Sequence, residues 1–107
     1  MKIGIATDHN GVVEKQQIID VLKQKKYEVV DYSTHNNPTD DYPDFAELVA
    51  NGVVNKEVDL GILLCGTGIG MSIAANKVNG IRCAKVSSKE EAFLSRSHNN
   101  ANIIALS

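Results

Sequence analysis

The segment from Gly61 to Ser72 constrains the fold of this 107-residue chain more than any other part of its sequence. A short apolar run ends at Cys65, glycines then occupy every second position up to Gly70, and good helix formers follow. This order predicts a buried strand, a tight loop and the start of a helix, with the cysteine at the carboxyl end of the strand. A thiol placed there faces backbone N–H groups and the positive end of a helix dipole, which favour bound anions and the thiolate form of a cysteine.

Short apolar runs alternate with amphipathic segments along the rest of the chain. The expected strands cover residues 2–6, 28–31, 60–64, 81–85 and 102–106, and the third is expected to be fully buried. The expected helices cover residues 12–26, 43–53, 71–77 and 89–97. The apolar residues near helical spacing in the first helix are Val13, Ile18, Val21 and Leu22. This alternation predicts an α/β fold, in which helices cover both faces of a five-stranded parallel sheet.

Length and local signals support the same organisation. Pro43 suits the first turn of the second helix, and Ser87 and Ser88, each with a glutamate three residues later, form a capping-box pattern before the last. A chain of 107 residues is long enough for one core and too short for two, so residues 1–107 are interpreted as a single domain.

Composition excludes several classes of partner. The formal net charge is −2, and Arg82 and Arg96 are the only arginines, which argues against nucleic acid. No apolar run approaches the length of a membrane span, and the amino terminus lacks a signal-peptide pattern. Two cysteines do not form a disulfide framework, and Cys83 is interpreted as a core residue. A cytoplasmic location is therefore expected, with no membrane partner.

Polar side chains follow the expected strands at their carboxyl ends, where open parallel sheets bind ligands. Asp8 and His9 follow the first strand, Cys65 follows the third, and Tyr42 lies in the loop after the second. His98 ends the last helix and precedes the fifth strand, so it belongs at the opposite edge of the sheet. Only a neighbouring subunit or an unusual path would bring it to the others.

The spacing of the residues excludes several chemistries that are common for glycine loops and cysteines. Met71 stands where a dinucleotide fingerprint needs a third small residue, and the loop lacks the Gly-Lys-Ser/Thr ending of a phosphate-binding P-loop. A redox pair needs a second cysteine close to Cys65, and the histidines and cysteines show no zinc-ligand spacing. His35 lies in a polar loop and is interpreted as a surface residue. Proton transfer by a thiol, a carboxylate and an imidazole fits the remaining residues best.

Each candidate also has a purely structural interpretation. Cys65 can be a packed core thiol, and Asp8 can be a helix cap. His98 can favour the dipole at the end of a helix, and Tyr42 can shield the core. These alternatives remain open on the residues alone.

Six segments, in one order across essentially the whole chain, resemble ribose-5-phosphate isomerase B, a family that includes the galactose-6-phosphate isomerase subunits. They are Asp8-His9, Asp41-Tyr42-Pro43, residues 65–70, residues 72–77, residues 80–82 and His98-Asn99. The resemblance implies an aldose–ketose isomerase of the pentose phosphate pathway with a Rossmann-like three-layer α/β/α sandwich and no metal or cofactor. It also implies a homodimer or tetramer with active sites at the subunit interface, where His98 and Asn99 come from the partner chain.

The chemistry expected at such a site is proton transfer through a cis-enediolate. Cys65 is the expected base for carbon 2, and the N–H groups of the loop that contains Gly66, Gly68 and Gly70 are the expected donors to the enediolate oxygen. Thr67 would help to move protons between oxygens.

The resemblance assigns the remaining roles in sugar-phosphate binding. It gives ring opening to Asp8 with His98 and contact with the substrate phosphate to His9. It places Tyr42 and Asn99 along the sugar.

The resemblance also implies helices beyond the fifth strand, with arginines that bind the substrate phosphate. A chain that ends at Ser107 is expected to lack them and to bind ribose 5-phosphate weakly. Two alternatives to a ribose-5-phosphate isomerase therefore stay open, a galactose-6-phosphate isomerase subunit and an incomplete domain with little activity.

Overall fold

The structure is a computed structural model that describes residues 1–34 and 42–107. Strands and helices alternate through these residues as predicted. Their order is β1 (Lys2–Thr7), α1 (Val12–Gln24), β2 (Glu28–Asp31), α2 (Tyr42–Val54), β3 (Leu60–Leu64), α3 (Ile69–Asn76), β4 (Cys83–Lys85), α4 (Lys89–Ser97) and β5 (Ile103–Leu106). The bounds of β2, β3 and α4 are those expected from the sequence.

All pairings within the sheet are parallel, and the strand order is β2-β1-β3-β5-β4. Helices α2 and α3 pack together on one face, and α1 and α4 lie on the other. The predicted α/β sandwich with a five-stranded parallel sheet is therefore confirmed. None of the helices within the described ranges is both long and apolar enough to cross a membrane.

The two faces of the sheet bury unequal cores. The α2–α3 face holds the larger core, whose most buried large side chains are Val49, Leu63, Met71 and Ile103. Burying one such side chain contributes about 1.5–3 kcal/mol to folding. The buried residues of the α1 face are Ile5, Ile19 and Leu64, and an apolar groove of about 200 Å³ runs beside α4. The α2–α3 face therefore supplies most of the apolar packing.

The prediction for the buried side of α1 was partly wrong. Val13 and Val21 are 67% and 48% exposed, whereas Lys15 and Ile19 are both 5% exposed. Lys15 and Ile19 are four residues apart and so share one side of the helix. The apolar spacing was misleading because an ion pair, described below, allows a lysine to take a core-facing position.

Smaller differences concern the ends of elements. Helix α1 ends at Gln24 rather than residue 26, because Lys26 has a left-handed backbone (φ 68°). Strand β4 begins at Cys83 rather than residue 81, and β3 alternates between buried and half-buried residues instead of being fully buried. The capping box is confirmed, since Ser88 Oγ accepts from Glu91 N–H at 3.1 Å and Glu91 Oε1 accepts from Ser87 N–H at 2.6 Å.

Candidate active site

Cys65 is the first residue after β3, and its side chain belongs to the core on the α2–α3 face. Its N–H donates to Leu106 O at 3.1 Å, which continues the pairing with β5 one residue beyond the strand. The N–H of Gly68 donates to its Sγ atom at 3.1 Å. A backbone donor aimed at sulfur stabilises the negative charge of a thiolate. The predicted position of the thiol, facing loop amides at the carboxyl end of a strand, is confirmed.

Gly68 allows the loop to return close to the sheet. Its φ of 78° is left-handed, and a Cβ atom at this position would lie 3.2 Å from Leu106 C and 3.3 Å from Ala105 O. Both the backbone conformation and the close approach therefore require glycine. The donor to Sγ is consequently fixed by the contact between this loop and β5.

The glycine loop is shorter than predicted, because α3 begins at Ile69 and not at Met71. Thr67 Oγ1 accepts from Ile69 N–H at 3.2 Å and so satisfies a donor at the helix start. Gly70 consequently lies in the first turn of α3. Gly66 and Thr67 are the exposed residues of the loop.

Asp8 follows β1 directly and is 7% exposed, whereas His9 beside it is exposed. The Asp8 carboxylate accepts from Asn10 at 2.9 Å (backbone N–H) and 3.4 Å (side-chain amide). The same amide nitrogen would lie 3.9 Å from a Cβ atom on Gly66. Asn10, which the sequence did not single out, therefore lies between the Asp8 loop and the Cys65 loop.

The strand order explains why these two loops meet. In the β1–β3 register Thr7 pairs with Leu64, so Asp8 and Cys65 leave the sheet side by side, and Asp8 N–H donates to Leu64 O at 3.3 Å. From β1 the chain moves to β2 on one side of the sheet, and later to β3 on the other. The crevice between them is the topological switch point, the usual ligand site of an open parallel sheet.

His98 and Asn99 lie at the opposite edge, as predicted. His98 ends α4, and both residues are exposed. The four-residue strand β5 follows them and spans roughly 10 Å. Within one chain, the sheet therefore separates His98 from Cys65.

Three residues that the sequence analysis named fall wholly or partly outside what the structure describes. Asp41 and His35 lie outside the described residues. Tyr42 begins α2, but its side chain also lies outside the described part of the chain.

A buried ion pair near the Asp8 loop was missed from the sequence. Lys15 Nζ lies 3.0 Å from Asp31 Oδ2 and donates to Ser33 O at 2.8 Å. Ser33 Oγ in turn accepts from Thr7 N–H at 3.0 Å, at the last residue of β1. This network joins α1, β1 and β2 just before Asp8. The four-residue spacing of Lys15 and Ile19, which places both on one side of α1, was the feature of the sequence that could have indicated a buried lysine.

Cys83 differs from Cys65 in its surroundings. It is half-buried against the core, and burial raises the pKa of its thiol to about 11, despite a hydrogen bond with the Ser72 side chain that lowers it. Cys83 is therefore a neutral thiol near pH 7, which agrees with its interpretation as a core residue. Among residues 1–34 and 42–107, no group of three His, Cys, Asp or Glu side chains could hold a metal ion.

Known proteins are similar to this chain in sequence. Residues 3–107 match the family model described as Ribose/Galactose Isomerase. Ribose-5-phosphate isomerase B of Escherichia coli is 46% identical over 104 residues, which cover 97% of this chain and 70% of that protein.

Solved structures agree. Ribose-5-phosphate isomerase B of Clostridium thermocellum superposes with a TM-score of 0.94 at 55% identity, over 99% of this chain and 72% of that one. The Mycoplasma genitalium enzyme, solved with bound ribulose-5-phosphate, gives a TM-score of 0.92 at 50% identity, over 99% and 71%. With sequence and fold in agreement, this chain belongs to the ribose/galactose isomerase family.

Proposed function

We propose that this chain is an aldose–ketose isomerase that interconverts ribose 5-phosphate and ribulose 5-phosphate, with Cys65 as the base. The observation that carries the proposal is the Gly68 N–H···Sγ bond, which holds the Cys65 sulfur against a backbone donor beside the β1–β3 crevice. Family membership and the ribulose-5-phosphate bound to the Mycoplasma genitalium relative support the choice of substrate.

The reaction consists of two proton transfers at carbon and one between the two oxygens. The thiolate of Cys65 removes the proton from carbon 2, and the electrons of the broken C–H bond form the enediolate as carbonyl oxygen 1 gains charge. Gly68 N–H and Ile69 N–H already donate to Sγ and to Thr67 Oγ1, so the N–H groups of Gly66, Thr67 and Gly70 are the ones that would donate to that charge. The Cys65 thiol then returns a proton to carbon 1, while the hydroxyl proton on oxygen 2 moves to oxygen 1, with Thr67 as the expected relay, which leaves a hydroxyl on carbon 1 and a carbonyl at carbon 2. The protein itself supplies every group, so the proposal includes no metal or cofactor.

Ring opening precedes this step and needs an acid and a base at the sugar ring. We assign it to Asp8 of one chain and His98 of a second copy, because the sheet separates the two residues within one chain. His9, exposed beside Asp8, would contact the phosphate, while Tyr42 and the second copy's Asn99 would line the sugar. The active unit would therefore be a homodimer, or a tetramer made of two such dimers, in the cytoplasm and in the pentose phosphate pathway.

A galactose-6-phosphate isomerase subunit is the second candidate, because the matched family model covers both sugars. This chain itself carries Cys65, Asp8, His9 and His98, whereas the resemblance implies that such a subunit borrows residues from a different chain. The complete set favours the pentose enzyme. Turnover of ribose 5-phosphate and galactose 6-phosphate by the purified protein distinguishes the two.

Replacement of Cys65 tests the proposal directly. Cys65→Ala is expected to abolish exchange of the carbon-2 proton with deuterated solvent and to lower turnover by several powers of ten, since the base is gone. Cys83→Ala, which also removes one thiol from the core, is the matched control and is expected to keep its turnover. Near-normal exchange in Cys65→Ala, or no isomerisation by the wild-type protein, contradicts the proposal.

A further inference from the structure

We infer that Arg82 and Arg96 are positioning residues. They hold residues 98–101, the turn at the amino ends of the parallel strands (the amino-edge turn), in the conformation that presents His98 and Asn99 to a second copy of the chain. This inference rests on the proposed function, because the turn matters for catalysis only if His98 acts across an interface. It assigns a role to both arginines of the chain, neither of which the mechanism above uses.

The two guanidinium groups donate hydrogen bonds to opposite ends of the turn. Arg82 Nε donates to Asn99 O at 2.7 Å. Arg96 Nη1 donates to Ala101 O at 2.6 Å and to the Asn100 side-chain oxygen at 3.4 Å. The two backbone carbonyls lie on either side of Asn100. Bonds from a charged donor to a carbonyl are shorter and stronger than neutral ones, so each arginine restricts one end of the turn.

The turn needs this support because its backbone is unusual. Asn100 has a left-handed conformation (φ 51°), and asparagine adopts it more readily than most residues. Its N–H donates to Arg96 O at 3.1 Å, and the N–H of Ala101 returns to Ser95 O at 2.8 Å. His98 and Asn99 are exposed, whereas Ala101 is 3% exposed. The inner end of the turn is thus held by packing of Ala101 together with Arg96, and the outer end is held by Arg82.

Arg82 is itself fixed to the end of the sheet. Its N–H donates to Asn102 Oδ1 at 2.9 Å, and Asn102 donates from its amide to Gly80 O at 2.9 Å. Within residues 1–34 and 42–107, neither arginine forms an ion pair with a carboxylate. Both charges therefore act on the backbone of the turn.

Substrate contact is the competing role, since an arginine near His98 could also reach a phosphate in the second copy. The two roles differ in kinetics. A displaced catalytic group lowers kcat, and a misplacement of about 1 Å can cost about 100-fold. Loss of a phosphate ligand raises KM and weakens inhibition by inorganic phosphate.

The experiment measures Arg82→Ala and Arg96→Ala beside Lys89→Ala, which removes an exposed cation from the other end of α4 and serves as the matched control. Each arginine variant is expected to lower kcat by about 10- to 100-fold with the inhibition constant of inorganic phosphate unchanged. Lys89→Ala is expected to match wild type. Unchanged kcat in both arginine variants, or weaker inhibition by phosphate, overturns the inference.

Mixed oligomers give a second, independent readout. Two differently tagged chains are co-expressed, and the hetero-oligomer is isolated by both tags. Arg82→Ala paired with Cys65→Ala creates one site with a native cysteine and a native turn, so about half of the wild-type activity is expected. Arg82→Ala paired with His98→Ala creates no such site and is expected to stay impaired.

The reference mixture of Cys65→Ala and His98→Ala separates the two claims. If this mixture regains no activity, the shared site of the proposed function fails. If it recovers while the mixture of Arg82→Ala with Cys65→Ala does not, the shared site stands and the role of Arg82 is overturned.

Discussion

The two edges of the sheet hold their functional residues in different ways. At the carboxyl edge Cys65 and Asp8 are 8% and 7% exposed, and the donor to the sulfur is a backbone N–H. At the amino edge His98 and Asn99 are exposed, and side chains hold the turn that carries them. A buried base needs a fixed donor and little access to water. A residue offered to another molecule needs to protrude, so its support has to come from beneath the turn.

Cations support both edges but pair with different groups. Lys15 is buried and neutralised by Asp31, and its network ends at Thr7 N–H just before Asp8. Arg82 and Arg96 bind carbonyl oxygens. Loss of one partner of a buried ion pair leaves an unpaired charge, whereas loss of a more exposed donor leaves a carbonyl that water can reach. Substitutions in the ion pair at the carboxyl edge are therefore expected to lower the free energy of unfolding. Substitutions of the arginines at the amino edge are expected to displace the turn without a large loss of stability.

The largest expected effect tests whether the two edges act together. Cys65→Ala and His98→Ala chains are each expected to be nearly inactive, and the isolated mixed dimer is expected to recover about half of the wild-type turnover. One of its two sites then contains both native residues. The doubly tagged wild-type dimer is the control. If exchange of subunits is proven and activity stays absent, His98 acts as a helix end only.

A smaller effect is expected when the backbone of the carboxyl edge is changed. Gly68→Ala places a Cβ atom against β5 and strains a left-handed residue, so the N–H shifts away from Sγ. Turnover is expected to fall about 100-fold, with a loss of about 1–3 kcal/mol in the free energy of unfolding. Gly52→Ala in α2 is the matched control, since a Cβ atom there would clash with the Tyr32 hydroxyl. It is expected to lose stability but keep turnover; equal losses of turnover would contradict the importance of the Gly68 donor.

Replacement of Lys15 is expected to have the smallest effect on turnover and a clear effect on the free energy of unfolding. Lys15→Met leaves Asp31, whose side chain is 23% exposed, without its counter-charge and is expected to lower the free energy of unfolding by about 1–3 kcal/mol in urea denaturation. Lys2→Met is the matched control, because the Lys2–Glu28 pair is long (3.6 Å) and exposed. Its loss is expected to cost about 0–1 kcal/mol. Similar losses in both variants would show that burial of the Lys15–Asp31 pair contributes little.

Local patterns were sufficient for most of the fold. The apolar run at Leu60–Leu64 and the capping serine before α4 fix their elements through neighbouring residues alone. The buried side of α1 was misjudged because Lys15 depends on Asp31, sixteen residues away, for its counter-charge. The start of α3 was placed two residues late because glycine is a poor helix former in general, although the first turn tolerates it.

The candidate site could also be predicted only where local patterns determine it. The placement of Cys65 beside loop amides and of His98 at the far edge could be predicted, because strand direction alone determines them. The position of Asn10 between the two loops and the bonds of Arg82 and Arg96 could not be predicted. They depend on the β1–β3 register and on how the chain turns before β5, which no local pattern specifies.

Because the Cys65 side chain is packed in the core of the α2–α3 face, the proposed base is also a structural residue, and this restricts how the protein can evolve. A larger nucleophile would need space that the core does not have, and overpacking costs about 1–3 kcal/mol. A smaller one would leave a cavity and lose the contact with Gly68 N–H. Selection for a new sugar is therefore expected to leave position 65 unchanged and to act on exposed positions such as Thr67, His9 and Asn99, where substitutions leave the core intact.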